Sequence, residues 1–99
     1  MKKFLSLISI LSISVSVNAN TENCINSFES EDYQNASKEC IEPAKLGEIY
    51  PQNILGWLHL KGLGVSVENQ KAFEWLSKSS DQGNPWAKGQ LGLIYQNGN

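Results

Sequence analysis

The sequence predicts an all-α fold, a right-handed α/α solenoid built as a short stack of helical hairpins. Three observations predict it. Sliding the chain on itself by 36 residues sets Gly47 on Gly83, Leu55-Gly56 on Leu91-Gly92 and Gly62 on Gly98. A fixed period in this range is the mark of stacked repeats. Between those marks the apolar residues return at helical spacing. Small residues, namely Gly56, Gly92, Ala72 and Ala87, stand where helix backbones are expected to approach closely.

Residues 1–19 precede the stack and take no part in it. Lys2 and Lys3 open the chain, an apolar stretch with interspersed serines runs from Leu5 to Val17, and Val17-Asn18-Ala19 supplies small residues at −3 and −1. This is the plan of a cleaved secretory signal peptide. The apolar core is too short to remain as a membrane span, and the polar Thr21-Glu22-Asn23 before Cys24 does not fit a lipoprotein. The expected mature domain, residues 20–99, is therefore exported to the periplasm or secreted, without stable membrane insertion.

Three units follow. The first, 20–47, is an irregular hairpin: a short helix around Cys24, then a helix from about Glu31 to Leu46 carrying Tyr33, Ala36, Cys40 and Ala44. Pro43 should kink that helix or end it early. The second, 48–83, is a full repeat. Its first helix runs from Pro51 to Lys61 with Ile54, Leu55 and Leu58 inward, and Gly62-Leu63-Gly64-Val65 stops it. Its second runs from about Glu68 to Ser80 with Ala72, Phe73, Leu76, Ser79 and Ser80 inward, closed by Gly83 in a left-handed conformation. The third unit, 84–99, is partial. Asn84 caps and Pro85 opens a helix whose stripe is Ala87, Leu91, Ile94 and Tyr95.

Composition narrows the function. Without residues 1–19 the chain has six lysines against ten acids, a net charge of −4, and it has no arginine. Phosphate and base recognition draw on arginine forks and a positive field, so nucleic acid is not an expected partner. The two cysteines, Cys24 and Cys40, read as one disulfide in an oxidising compartment. With His59 they supply too few ligands for a metal site, and there is no Cys-x-x-Cys for redox work.

The order Leu55-Gly56, Gly62-Leu63-Gly64-Val65, Lys71-Ala72-Phe73-Glu74-Trp75, Lys78-Ser79-Ser80-Asp81-Gln82-Gly83, Ala87, Leu91-Gly92-Leu93-Ile94-Tyr95, Gly98 resembles the Sel-1-like repeat, a relative of the tetratricopeptide repeat. The resemblance is close over 53–98 and loose over 22–47. It departs from the family at Pro51, where Ala is expected, at His59 in place of an aromatic, and at Ser79-Ser80 in place of an Ala pair. In the same register Cys24 falls on Leu60 and Cys40 on Leu76, positions expected to meet across a hairpin. The disulfide would then stand in for an apolar contact.

No catalytic set and no cofactor site emerges. Ser-x-x-Lys is absent, a Ser-His-Asp triad would have only His59 to draw on, and no G-x-S-x-G elbow exists. Gly62-x-Gly64 is a turn between helices and not a phosphate loop. Glu29, Glu31 and Asp32, like Glu39 and Glu42, read as solvated surface. Some cysteine-rich secreted relatives bind or weakly hydrolyse β-lactams, which is the alternative reading at family level.

What remains is a binding surface. In stacked arrays the first helix of each unit lines the concave side, which here offers Asn53, Trp57 and Lys61, then Trp86, Gln90 and Leu93. Trp57 and Trp86 are either anchors for a partner or packing between neighbouring units, and Trp75 reads as structural. The expected function is a protein-interaction module or adaptor whose groove takes a protein or an extended peptide. The last helix has no second helix to cover it. A partner, self-association and a truncated reading frame all fit that.

Overall fold

The computed structural model describes residues 19–96, so all but the last residue of the expected leader, and Gly98 of the repeat, lie outside the described residues. The helices are α1 (Ala19–Glu29), α2 (Tyr33–Glu39), α3 (Ile41–Lys45), α4 (Ile49–Lys61), α5 (Asn69–Asp81) and α6 (Pro85–Gln96), and no strand occurs among the described residues.

The 36-residue period is written into the helix boundaries. Moving α5 back by 36 places its ends on Tyr33 and Lys45, the start of α2 and the end of α3. Moving α6 back places its start on Ile49, the start of α4. The turns repeat bond for bond. Gly47 N–H donates to the Ala44 carbonyl and Glu48 N–H to that of Pro43; Gly83 N–H donates to Ser80 and Asn84 N–H to Ser79. Each pair is a Schellman stop, and Gly47 and Gly83 carry φ of +97° and +96°.

Two local features shape the first hairpin. The sequence predicts a helix from about Glu31 to Leu46 that Pro43 kinks or ends early, and the structure has two helices there, parted at Cys40. Pro43 has no N–H to offer the Glu39 carbonyl, so α2 ends at Glu39. The break is mild: Cys40 N–H still bonds Ala36 and its carbonyl still accepts from Ala44. The first hairpin also turns faster than the second. Ser30–Asp32 joins α1 to α2, whereas Gly62–Glu68 joins α4 to α5, so α1 runs about one turn further than the period implies.

The longer loop has a packing role. Gly62 caps α4 at φ +70° with its N–H on the Leu58 carbonyl, and Glu68 N–H returns to the His59 carbonyl. Gly64 then lies over the start of α2. A Cβ there would come within 2.5 Å of the Tyr33 carbonyl and 2.8 Å of Gln34 N, on a backbone at φ +72°. Only glycine allows two backbones to meet this closely.

The core has two parts joined through α4. Cys24, Ala36, Cys40, Ala44, Ile54, Leu55 and Leu58 are buried together, with Ile25, Phe28, Tyr33, Leu63, Val65 and Trp75 packed around them. Ala72, Leu76, Ala87 and Ile94 form the second part, with Leu60 and Leu91 against it. The Cys24–Cys40 disulfide ties α1 to the α2–α3 kink inside the first part. Its register mates Leu60 and Leu76 meet in the second. A polar stitch runs along one edge of the stack: Gln52 Nε2 donates to the Ala44 carbonyl (3.0 Å), and Gln82 Nε2 donates to Gln52 Oε1 (3.1 Å) and to the Gly47 carbonyl (2.9 Å).

Two expectations for α6 are corrected. The sequence places Tyr95 on one stripe with Ala87, Leu91 and Ile94, yet it is 61% exposed and touches Phe73 edge-on at 5.7 Å. The sequence also places Gly92 at a close helix approach. A Cβ at Gly92 would meet nothing within 4 Å, whereas one at Gly56 would lie 2.6 Å from Leu76 Cγ. Gly56 has α5 against it; Gly92 has no helix there among the described residues.

Candidate partner-binding groove

Tyr50, Asn53, Ile54 and Trp57 are spaced i, i+3, i+4, i+7 on α4 and so share one helical face. Phe28 reaches the same space from the end of α1 and Trp86 from the first turn of α6. Together the six line an open cleft of about 470 Å³. The periodic start of each unit explains the arrangement, because Tyr50 and Trp86 are the same position one repeat apart. Asn84 secures the Trp86 end: its Oδ1 accepts from Ala87 N–H at 2.9 Å, which fixes the first turn of α6.

The walls are mostly aromatic. Trp57 and Trp86 meet with ring centroids 6.1 Å apart and planes tilted by 56°, within the range of favourable aromatic pairing. Lys61 Nζ stands 4.9 Å from the Trp57 ring centroid, a cation–π contact. The tryptophans therefore pack on each other between units and still face the cleft. Tyr50 is half exposed and Trp86 is 40% exposed, so apolar surface remains available.

One polar atom breaks the apolar wall. Asn53 Oδ1 is buried and has no hydrogen-bond partner. A carbonyl in that state costs about 1–3 kcal/mol unless a donor reaches it. Because that oxygen has almost no accessible surface, a ligand N–H in the cleft would reach it only after the Asn53 side chain turns outward.

Of the residues expected from sequence, Asn53, Trp57 and Trp86 line the cleft and Lys61 stacks on its edge. Gln90 and Leu93 do not line it. Phe28 and Tyr50 are additions. Tyr50 was findable as the register mate of Trp86. Phe28 was not, since it reaches the cleft only because α1 runs on to Glu29. His59 faces the α5 side, with its buried Nδ1 3.6 Å from a Glu68 carboxylate oxygen. Among the described residues no group of three or more His, Cys, Asp or Glu is placed to hold a metal ion. No described helix is long and apolar enough to cross a membrane.

Residues 52–84 match the Sel1 repeat. This supports the Sel1 repeat family. The matched span takes in α4 from Gln52 onward, the glycine loop, α5 and the Gly83 turn. A sel1-like repeat-containing protein of Acanthamoeba polyphaga mimivirus is 34% identical over 56 residues, which is 57% of this chain and 10% of that relative. The chain thus spans about a tenth of the relative's length. No solved structure matches the chain. Sel1 repeats generally act as protein–protein interaction modules.

Proposed function

We propose that this protein is an exported Sel1-type interaction module, without catalytic activity of its own, that holds an extended segment of a partner protein in the α1–α4–α6 cleft. The observation that carries the reading is the cleft itself: five apolar side chains, three of them from one face of α4, line it together with Asn53, whose buried Oδ1 is unpartnered. An apolar anchor seated against the Trp57–Trp86 pair and Tyr50 fills the space, and a backbone N–H of the same segment donates to the Asn53 side chain once that side chain turns into the cleft. Aromatic walls of this kind supply most of the binding free energy in such sites. Export is supported by the charged, apolar and small-residue order of residues 1–19 and by a disulfide, which persists in oxidising compartments.

Photo-crosslinking in the source cells tests the reading. Benzoylphenylalanine in place of Tyr50 should give a discrete crosslinked species from the cell-envelope or secreted fraction. The same group in place of Lys78, on the exposed side of α5, should not. Trp57→Ala should reduce the Tyr50 product at least tenfold, the loss of about 1.4 kcal/mol or more expected of an anchor. Equal crosslinking from both positions contradicts a groove function. Turnover of a chromogenic cephalosporin by the purified protein contradicts the absence of catalysis.

A further inference from the structure

The six side chains that line the cleft carry no charge. The charged group held against them is an ammonium, Lys61 Nζ, 4.9 Å from the Trp57 ring centroid. Lys61 is exposed and pairs with no carboxylate among the described residues. Helices α4 and α6 supply five of the six lining residues and contain no aspartate or glutamate. Seven of the ten acids stand in residues 20–48, a segment from which only Phe28 enters the cleft. Two of those acids lie nearest in sequence to the lining: Glu29 follows Phe28 on α1, and Glu48 precedes α4 with its carboxylate accepting from the Thr21 hydroxyl at 2.7 Å. An anchor laid against Trp57 takes water away from the ammonium beside that ring. A cation that loses its water needs an anion in return.

Resting on the cleft reading above, we propose that the partner segment is acidic beside its anchor: an aromatic or large aliphatic side chain fills the cleft, and an aspartate or glutamate two positions away pairs with Lys61. The spacing follows from extended backbone. Side chains two positions apart point to the same side and lie about 7 Å from one another. That distance carries the chain from an anchor resting on Trp57 to the ammonium on the same ring. A charge-assisted bond formed there is sheltered by the anchor and the Trp57 ring. A basic residue at the same place meets a like charge and is rejected. The aromatic walls thus hold the anchor, and Lys61 selects which anchored segments stay.

The probes are end-blocked peptides titrated into the oxidised, isotope-labelled protein. In acetyl-Gly-Asp-Gly-Phe-Gly-Asp-Gly-amide the anchor has an acid two positions away on either side, so either chain direction presents one to Lys61. Two counterparts carry Asn or Lys at both acidic positions, and a third sets both Asp next to Phe at the same net charge. The Asp peptide should shift Tyr50, Asn53 and the indole signals of Trp57 and Trp86. It should bind at least threefold more tightly than the Asn and displaced-Asp peptides, and the Lys peptide should bind most weakly. Lys61→Gln, at an exposed position and with helicity checked by circular dichroism, should bring the Asp peptide down to the level of the Asn peptide. Lys61→Arg should keep the preference. Equal affinity for the Asp peptide and either the Asn or the displaced-Asp peptide overturns the inference, as does tighter binding of the Lys peptide or a preference that survives Lys61→Gln; in each case the cleft reading stands. No shift at Tyr50, Trp57 and Trp86 with any peptide overturns both.

Discussion

Ser79 shows how a single atom can be out of keeping with its surroundings. It is fully buried on α5, and its Oγ has no hydrogen-bond partner. Its register mate is Pro43, also buried, so the position wants a compact side chain without a polar demand. Ser79→Ala removes the unsatisfied hydroxyl, improves helix propensity and opens almost no cavity. It should raise stability by about 1 kcal/mol, read as a higher urea midpoint with unchanged m-value. Much of the cleft was legible at this scale: Asn53, Trp57, Lys61 and Trp86 follow from spacing on first helices alone. Gln90 and Leu93 share that spacing but lie off the cleft, because periodicity gives a face and not its extent along the helix. Tyr95 misled for a related reason. Its hydrophobic body fits a buried stripe, but burial needs a neighbour, and spacing along one helix does not say whether a neighbour is present.

At the scale of elements, the first hairpin differs most from the repeat. The α2–α3 kink leaves its second helix in two short pieces of seven and five residues, neither able to hold helical form without tertiary support. The disulfide supplies that support. Cys24 and Cys40 are both fully buried and close a loop with a sequence separation of 16, for which the chain-entropy account gives about 3 kcal/mol. Reduction, or the Cys24→Ser and Cys40→Ser double variant, should lower the unfolding free energy by about that amount. Amide exchange should rise first in α1, α2 and α3, while α5 keeps more of its protection. Uniform loss across all helices contradicts this assignment. The pairing was legible from the cysteine count, and the register of Cys24 with Leu60 and Cys40 with Leu76 supplied its place in the fold. The extra turn of α1 was not, since it depends on how Ser30–Asp32 closes, with Glu31 at φ 63°, a conformation that sequence pattern does not forecast for glutamate.

Across the whole molecule, α4 is the shared member. It packs on the first hairpin through Ile54, Leu55 and Leu58, on α5 through Gly56 and Leu60, and it forms the floor of the cleft with Tyr50, Asn53 and Trp57. Stability in such arrays is a sum of unit and nearest-neighbour terms, so equivalent positions in a covered and an open helix should respond differently to the same substitution. Gly56 and Gly92 are that pair. Alanine is intrinsically better than glycine in a helix by about 1 kcal/mol, and Gly92→Ala should gain roughly that. At Gly56 the added methyl meets Leu76, which is fully buried among Ala72, Ala87 and Ile94 and has nowhere to withdraw; overpacking of this kind costs about 1–3 kcal/mol.

Urea unfolding of Gly56→Ala and Gly92→Ala beside the parent protein tests the stacked-hairpin account most directly. The account predicts shifts of opposite sign, a loss at 56 and a gain at 92. Gains at both positions would mean that α5 does not lie on α4 along this seam, and the hairpin stack would be wrong.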